Sequence, residues 1–139
     1  MATLQDAIDQ IQGQVAAISG IRSAPTEPPD KPGAFPFAVC FTRSGVYQIG
    51  PPEVMTGLHV ICVEVHVARR DLPRDVRAVM AYAKSIPDKI FSALKASSLT
   101  AISTFGDIRY EFGPMAYGGQ DTIGFRFLLE DVKTQDTIS

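Results

Sequence analysis

Cys62, Glu64 and His66 alternate along the stretch Leu58-His59-Val60-Ile61-Cys62-Val63-Glu64-Val65-His66-Val67. Side chains two apart in a strand share a face, so a thiol, a carboxylate and an imidazole would stand in one row. These group types ligate metals, and Cys62 with His66 is the residue pair of thiol–imidazole catalysis. The spacing argues against both uses. Same-face neighbours on a strand lie about 6.6–6.8 Å apart, so a metal would need ligands from another strand. His59 and His66 differ by an odd number of positions, face opposite sides of the strand and share no metal. The plainer reading is a packed thiol beside an interface histidine.

Other chemistry is equally sparse. The chain has no Gly-x-Ser-x-Gly elbow and no phosphate-binding Gly-x-x-x-x-Gly-Lys loop. Glu53, Glu64, Asp71, Asp75 and Asp88 are scattered without an evident acid–base pair, and Asp107 and Glu111 read as a solvated face. The residues therefore predict no enzyme, no metal and no cofactor. A small cytoplasmic enzyme or ligand-binding domain, with a pocket around Glu64 and His66, is the competing reading. Arg69, Arg70, Arg74 and Arg77 interleave with Asp71 and Asp75. They read as a salt-bridged helix start or as a contact with a neighbouring subunit.

The elements around these residues follow from periodicity. Leu4, Ile8, Ile11, Val15 and Ile18 predict an amphipathic helix, capped by Thr3 with Asp6 and stopped near Gly20, with Gln5, Asp9, Gln12 and Gln14 on its polar face. Ser23 to Gly33, with four prolines, predicts an extended connector. Residues 35–42 read as a strand with Pro36 at an edge or entrance. Residues 43–57 read as an apolar loop that folds back on the core or meets a partner. The long strand places Ile61, Val63, Val65 and Val67 on a core face, and its other face, from Val60 to His66, reads as half-wet. Asp71 and Pro73 open a helix whose stripe is Val76, Val79, Met80, Ala83 and Ile86, kinked or broken by Pro87. Residues 102–112, broken at Gly106-Asp107, and residues 122–132 predict two more strands, joined by a turn-rich loop over 113–120. The tail from about Lys133 is expected to fray.

These elements give one α+β domain over residues 1–139, in the order α-β-β-α-β-β. A mainly antiparallel or mixed four-stranded sheet carries an N-terminal helix and a bent central helix on one face. The 139 residues suffice for a core without staples. A formal net charge of −2 argues against a protein that grips nucleic acid. Cys40 and Cys62 are expected as reduced, partly buried thiols, a disulfide between neighbouring strands being the alternative. The start of the chain lacks a signal-peptide pattern, and no apolar run reaches the roughly 20 residues of a membrane span. The expectation is a soluble protein made in the cytoplasm, with no membrane partner.

The pattern resembles the tail terminator proteins of long-tailed bacteriophages, also called tail completion or tail-to-head joining proteins. The likeness rests on the first helix ending at Gly20-Ile21-Arg22, the Pro-rich crossing, the strand Phe35-Pro36-Phe37-Ala38-Val39 and the long valine-rich strand. It also rests on the turn Arg70-Asp71-Leu72-Pro73 into a helix carrying Tyr82. It covers about Leu4 to Leu94 and, more loosely, the last two strands. The resemblance implies a virion protein at the head–tail junction that forms a ring, commonly a hexamer. Its implied partners are itself, the major tail tube protein and the head-closure or connector protein. DNA would pass through its lumen without specific binding, and no catalytic residues carry over. Another neck component, or a minor tail protein, is the alternative. The expected interface positions are Tyr47, Ile49 and Met55 on one apolar loop, Met115 and Tyr117 on another, and Arg70 and Arg74 at the strand-to-helix corner.

Overall fold

The computed structural model describes residues 3–50, 54–68 and 74–137. Helix α1 spans Leu4–Ala16, β1 Phe37–Gly50 and β2 Val54–Ala68; α2 spans Arg74–Met80, α3 Tyr82–Lys95, β3 Ile108–Tyr117 and β4 Gln120–Thr137. The four strands form one antiparallel sheet in the order β1-β2-β4-β3. The α+β class and the α-β-β-α-β-β order are as expected, with the central helix in two pieces.

Thr3 and Asp6 form the reciprocal capping box that starts α1, and the helix ends at Ala16, short of Gly20. Its stripe Ala7, Ile8, Ile11 and Val15 is buried. α1 packs on β1 and β2 and against α3, while α2 lies over β2 and β4. The core holds Ala38 and Cys40 of β1, Ile61, Val63, Val65 and Val67 of β2, and Ile123, Phe125, Phe127 and Leu129 of β4, closed by Val79, Ile86 and Ile90 from the helices. Gln12, expected on the polar face of α1, is buried. Its amide donates to the Pro25 and Ala38 carbonyls at 2.9 and 3.1 Å, which ties the connector to β1.

Several boundaries differ from expectation. The helix breaks at Ala81, and Pro87 sits inside α3. Pro87 falls in the second turn of α3, where it cannot donate to the Ala83 carbonyl one turn back. Met80, assigned to the apolar stripe, is exposed. Residues 43–50 and 54–57, expected within a loop, instead extend β1 and β2 as paired antiparallel strands, and 51–53 lie outside the described residues. The predicted loop over 113–120 is mostly β3, closed by a two-residue turn in which Gly118 and Gly119 take φ of 58° and 81°. Both values suit a type I′ hairpin turn. The tail does not fray at Lys133, because β4 pairs with β2 through Thr137. Asp71, Pro73, Arg69 and Arg70 lie outside the described residues.

Two bulges shape the sheet. β1 has an extra residue at Arg43, and β4 has one at Glu130–Asp131, where Asp131 adopts φ 54°. Beyond them β1, β2 and β4 continue as a three-stranded arm, registered from Gly45–His59–Val132 to Gly50–Val54–Thr137.

Candidate functional site

The arm carries the first group of expected interface residues. Tyr47 and Ile49 are 51% and 80% exposed, Val46 beside them is exposed, and Met55 is half-buried. The arm is held by a buried histidine. His59 Nε2 lies 3.0 Å from Thr134 Oγ1, and its ring meets Tyr47 edge-on at 5.2 Å. Gly45 and Gly57 leave the room it fills, since a Cβ at either position would run into the imidazole. Burial pushes its pKa down, which favours the neutral ring. A cavity of about 140 Å³ lies between Thr3 and Leu4 of α1 and Tyr47, Met55, Thr134 and Asp136 of the arm.

The face of the sheet away from the helices holds the Cys62-Glu64-His66 row. It is buried rather than half-wet: Cys62, Glu64 and His66 are 1%, 6% and 0% exposed. Glu64 receives Arg126 Nε at 2.8 Å on one oxygen, and the other lies 2.9 Å from His66 Nε2. His66 Nδ1 lies 2.6 Å from Thr122 Oγ1. With its proton on Nε2, the ring donates to Glu64 and accepts from the Thr122 hydroxyl. Burial alone would raise the Glu64 pKa, but the hydrogen bonds from His66 and Arg126 outweigh it and hold the carboxyl below its usual value.

The Pro-rich connector helps cover this row. It starts at the outer edge of β1, where the Ser23 carbonyl accepts from Ala38 N–H at 2.8 Å. It then crosses to the far side of the sheet, where the Tyr117 hydroxyl donates to the Pro29 carbonyl. The Tyr117 ring meets Phe37 and His66 at 5.0 and 5.6 Å. Met115 reaches over Gly124 on the same face. Met115 and Tyr117 are therefore half-buried, and Tyr117 forms part of the seat of the connector. They do not join Tyr47 and Ile49. Arg74 begins α2, and Arg70 lies outside the described residues.

Hydroxyl, imidazole and carboxylate stand in the sequence of a hydrolytic triad. Thr122 and His66 are fully buried and Glu64 is paired with Arg126, so the row is closed to solvent and its groups are engaged with one another as a polar clamp. Among the described residues no cluster of three or more His, Cys, Asp or Glu is placed to hold a metal ion. Cys40 points into the helix-side core and Cys62 to the opposite face, so the alternative of a disulfide between them is ruled out by geometry. Burial pushes the Cys62 thiol up to about 12 and raises Cys40 too.

One surface was missed from sequence. On β3 the row Tyr110 and Phe112, continued by Pro114 and Ala116, stays exposed on the helix-bearing face, because the helices lie over the other three strands. The alternation of these residues with Arg109 and Glu111 was the available signal. No family model matches the chain, and no curated protein matches it in sequence.

Proposed function

We propose that this chain is a structural protein of the tail terminator kind. It forms a ring, most simply a hexamer, that caps the phage tail tube, ends tube growth and offers a surface for head joining. The observation that carries this reading is the three-stranded arm, with Val46, Tyr47 and Ile49 exposed beyond the helix-covered core. Monomeric domains seldom expose large apolar side chains together, and such groupings mark protein–protein contacts. The buried clamp of Glu64, His66 and Arg126 supports the same reading, because the polar groups that looked reactive are consumed in holding the sheet. A formal net charge of −2 suits a lumen through which DNA slides, since many phosphate contacts would retard it.

The test is electron microscopy of purified chain mixed with tail tubes, together with sedimentation of the chain alone. The reading expects rings in solution or at tube ends. It expects Tyr47→Asp with Ile49→Asp to reduce assembly while circular dichroism stays unchanged. A strict monomer that never occupies tube ends would overturn it, and binding to connectors alone would favour a head-closure role.

A further inference from the structure

The sheet has two unlike open edges. β1 forms one, and β3 the other. Among the described residues, the outer side of β1 is taken only at its start, where Ala38 N–H donates to the Ser23 carbonyl and its own carbonyl accepts from Gln12, so Val39 to Gly50 is open. Among the described residues β3 pairs only with β4. Pro114 lacks an N–H, which leaves Ile108 to Gly113 as the part of β3 able to pair outward.

Strand direction makes these edges compatible. Each neighbouring pair in β1-β2-β4-β3 is antiparallel, so β1 and β3 run in opposite directions. A second copy in the same orientation therefore sets its β3 antiparallel to β1 and extends the sheet without a break in pattern. Its side chains match on both faces. On the helix-bearing face, exposed Tyr110 and Phe112 of one copy come beside the β1 row that ends in exposed Tyr47 and Ile49. On the opposite face, β1 offers exposed Arg43, whose field reaches Cys62, and β3 offers Glu111, exposed and only loosely paired with Arg126 at 3.7 Å.

We infer that copies of this chain join head to tail, with the β3 edge of one docked on the β1 edge of the next. The inference rests on the ring reading above and names the contact that builds the ring. Two different patches meet in such a contact, so it is heterologous and closes into a ring when the rotation per copy allows. One copy cannot satisfy its own patches, because they lie at opposite edges of its sheet.

Two edge-blocked variants test this. One carries Tyr110→Lys and Phe112→Lys, and the other Tyr47→Lys and Ile49→Lys. Each alone should sediment as a monomer, and an equimolar mixture should form a two-chain complex, because one intact β1 edge then meets one intact β3 edge. The same contact is read through exposed charges: Arg43→Glu and Glu111→Arg should each lower wild-type assembly, and the double variant should restore it. That second arm stands if Tyr110→Lys disturbs folding. If the wild-type chain forms rings but every variant still assembles like it, the edge contact and the part given to Tyr47 and Ile49 are wrong, and only ring formation itself stands. If the wild-type chain stays monomeric at all concentrations and on tube ends, both fall.

Discussion

Removing the Glu64 carboxylate tests whether the buried row is a structural clamp. Its side chain is 7% exposed and makes charge-assisted contacts of 2.9 Å with His66 and 2.8 Å with Arg126. Glu64→Ala leaves the fully buried His66 without that partner, whereas Arg126, at 37% exposure, can rehydrate. Breaking a buried pair from one side costs about 3–5 kcal/mol, and the exposure of Arg126 lowers the expected loss to about 2–4 kcal/mol. Glu64→Gln keeps the shape. Its oxygen can accept from Arg126 and its amide can donate to His66 if the ring proton moves to Nδ1, so about 1–2 kcal/mol is expected from lost charge. Urea unfolding followed by circular dichroism at one protein concentration reads both. The pH dependence has a definite sign. The folded carboxyl titrates below its ordinary value of 4.5, so the unfolded chain takes up the proton first as pH falls. The advantage of wild type over Glu64→Gln is full above that ordinary value and shrinks as pH falls through the lower folded value. A loss under about 1 kcal/mol for Glu64→Ala, given the buried-pair range above, would refute the clamp. So would a wild-type advantage over Glu64→Gln that does not change between neutral and strongly acid pH.

Neither Cys40 nor Cys62 should react with a thiol reagent in the native chain, and both should react after denaturation, because burial raises both thiols; rapid native labelling would contradict their placement. Gly124→Ala should destabilise by about 3 kcal/mol or more in urea unfolding, since a Cβ there would run into the Val65 carbonyl oxygen; a neutral result would mean the two strands sit farther apart. Tyr117→Phe should lose about 0.5–1.5 kcal/mol and speed hydrogen exchange around Asp30 and Lys31, and unchanged exchange would show that Tyr117 does not pin the connector.

The core was legible in sequence because one-sided periodicity survives folding. Ile61, Val63, Val65 and Val67, and Ile8, Ile11 and Val15 of the α1 stripe, follow from spacing alone and are buried as expected, while Leu4 and Ile18 at the ends of that stripe are half-buried. The long pairing of β1 with β2 was not legible, because Gly45, Gly50, Pro51 and Pro52 signal a loop locally. Gly45 instead makes room for His59 from the neighbouring strand, a cross-strand demand that one segment cannot reveal. The Gly118-Gly119 pair lies in the stretch expected as a turn-rich loop, and only its two glycines turn, closing a tight hairpin between β3 and β4. The Glu64–His66 row was found but judged half-wet. What covers it, the connector pinned at Tyr117, lies far away in sequence. Tyr47 and Ile49 were found as exposed apolar residues, whereas Tyr110 and Phe112 were passed over because their exposure depends on how far the helix layer reaches.

The most direct test of the central claim is tube growth itself. Tail tube protein is polymerised with and without purified chain, and tube length and tube ends are recorded by electron microscopy. The account predicts shorter tubes, each with a ring at one end, and no effect from the Tyr47→Asp and Ile49→Asp variant. Tubes that grow unchanged, with bare ends at saturating chain, would contradict it.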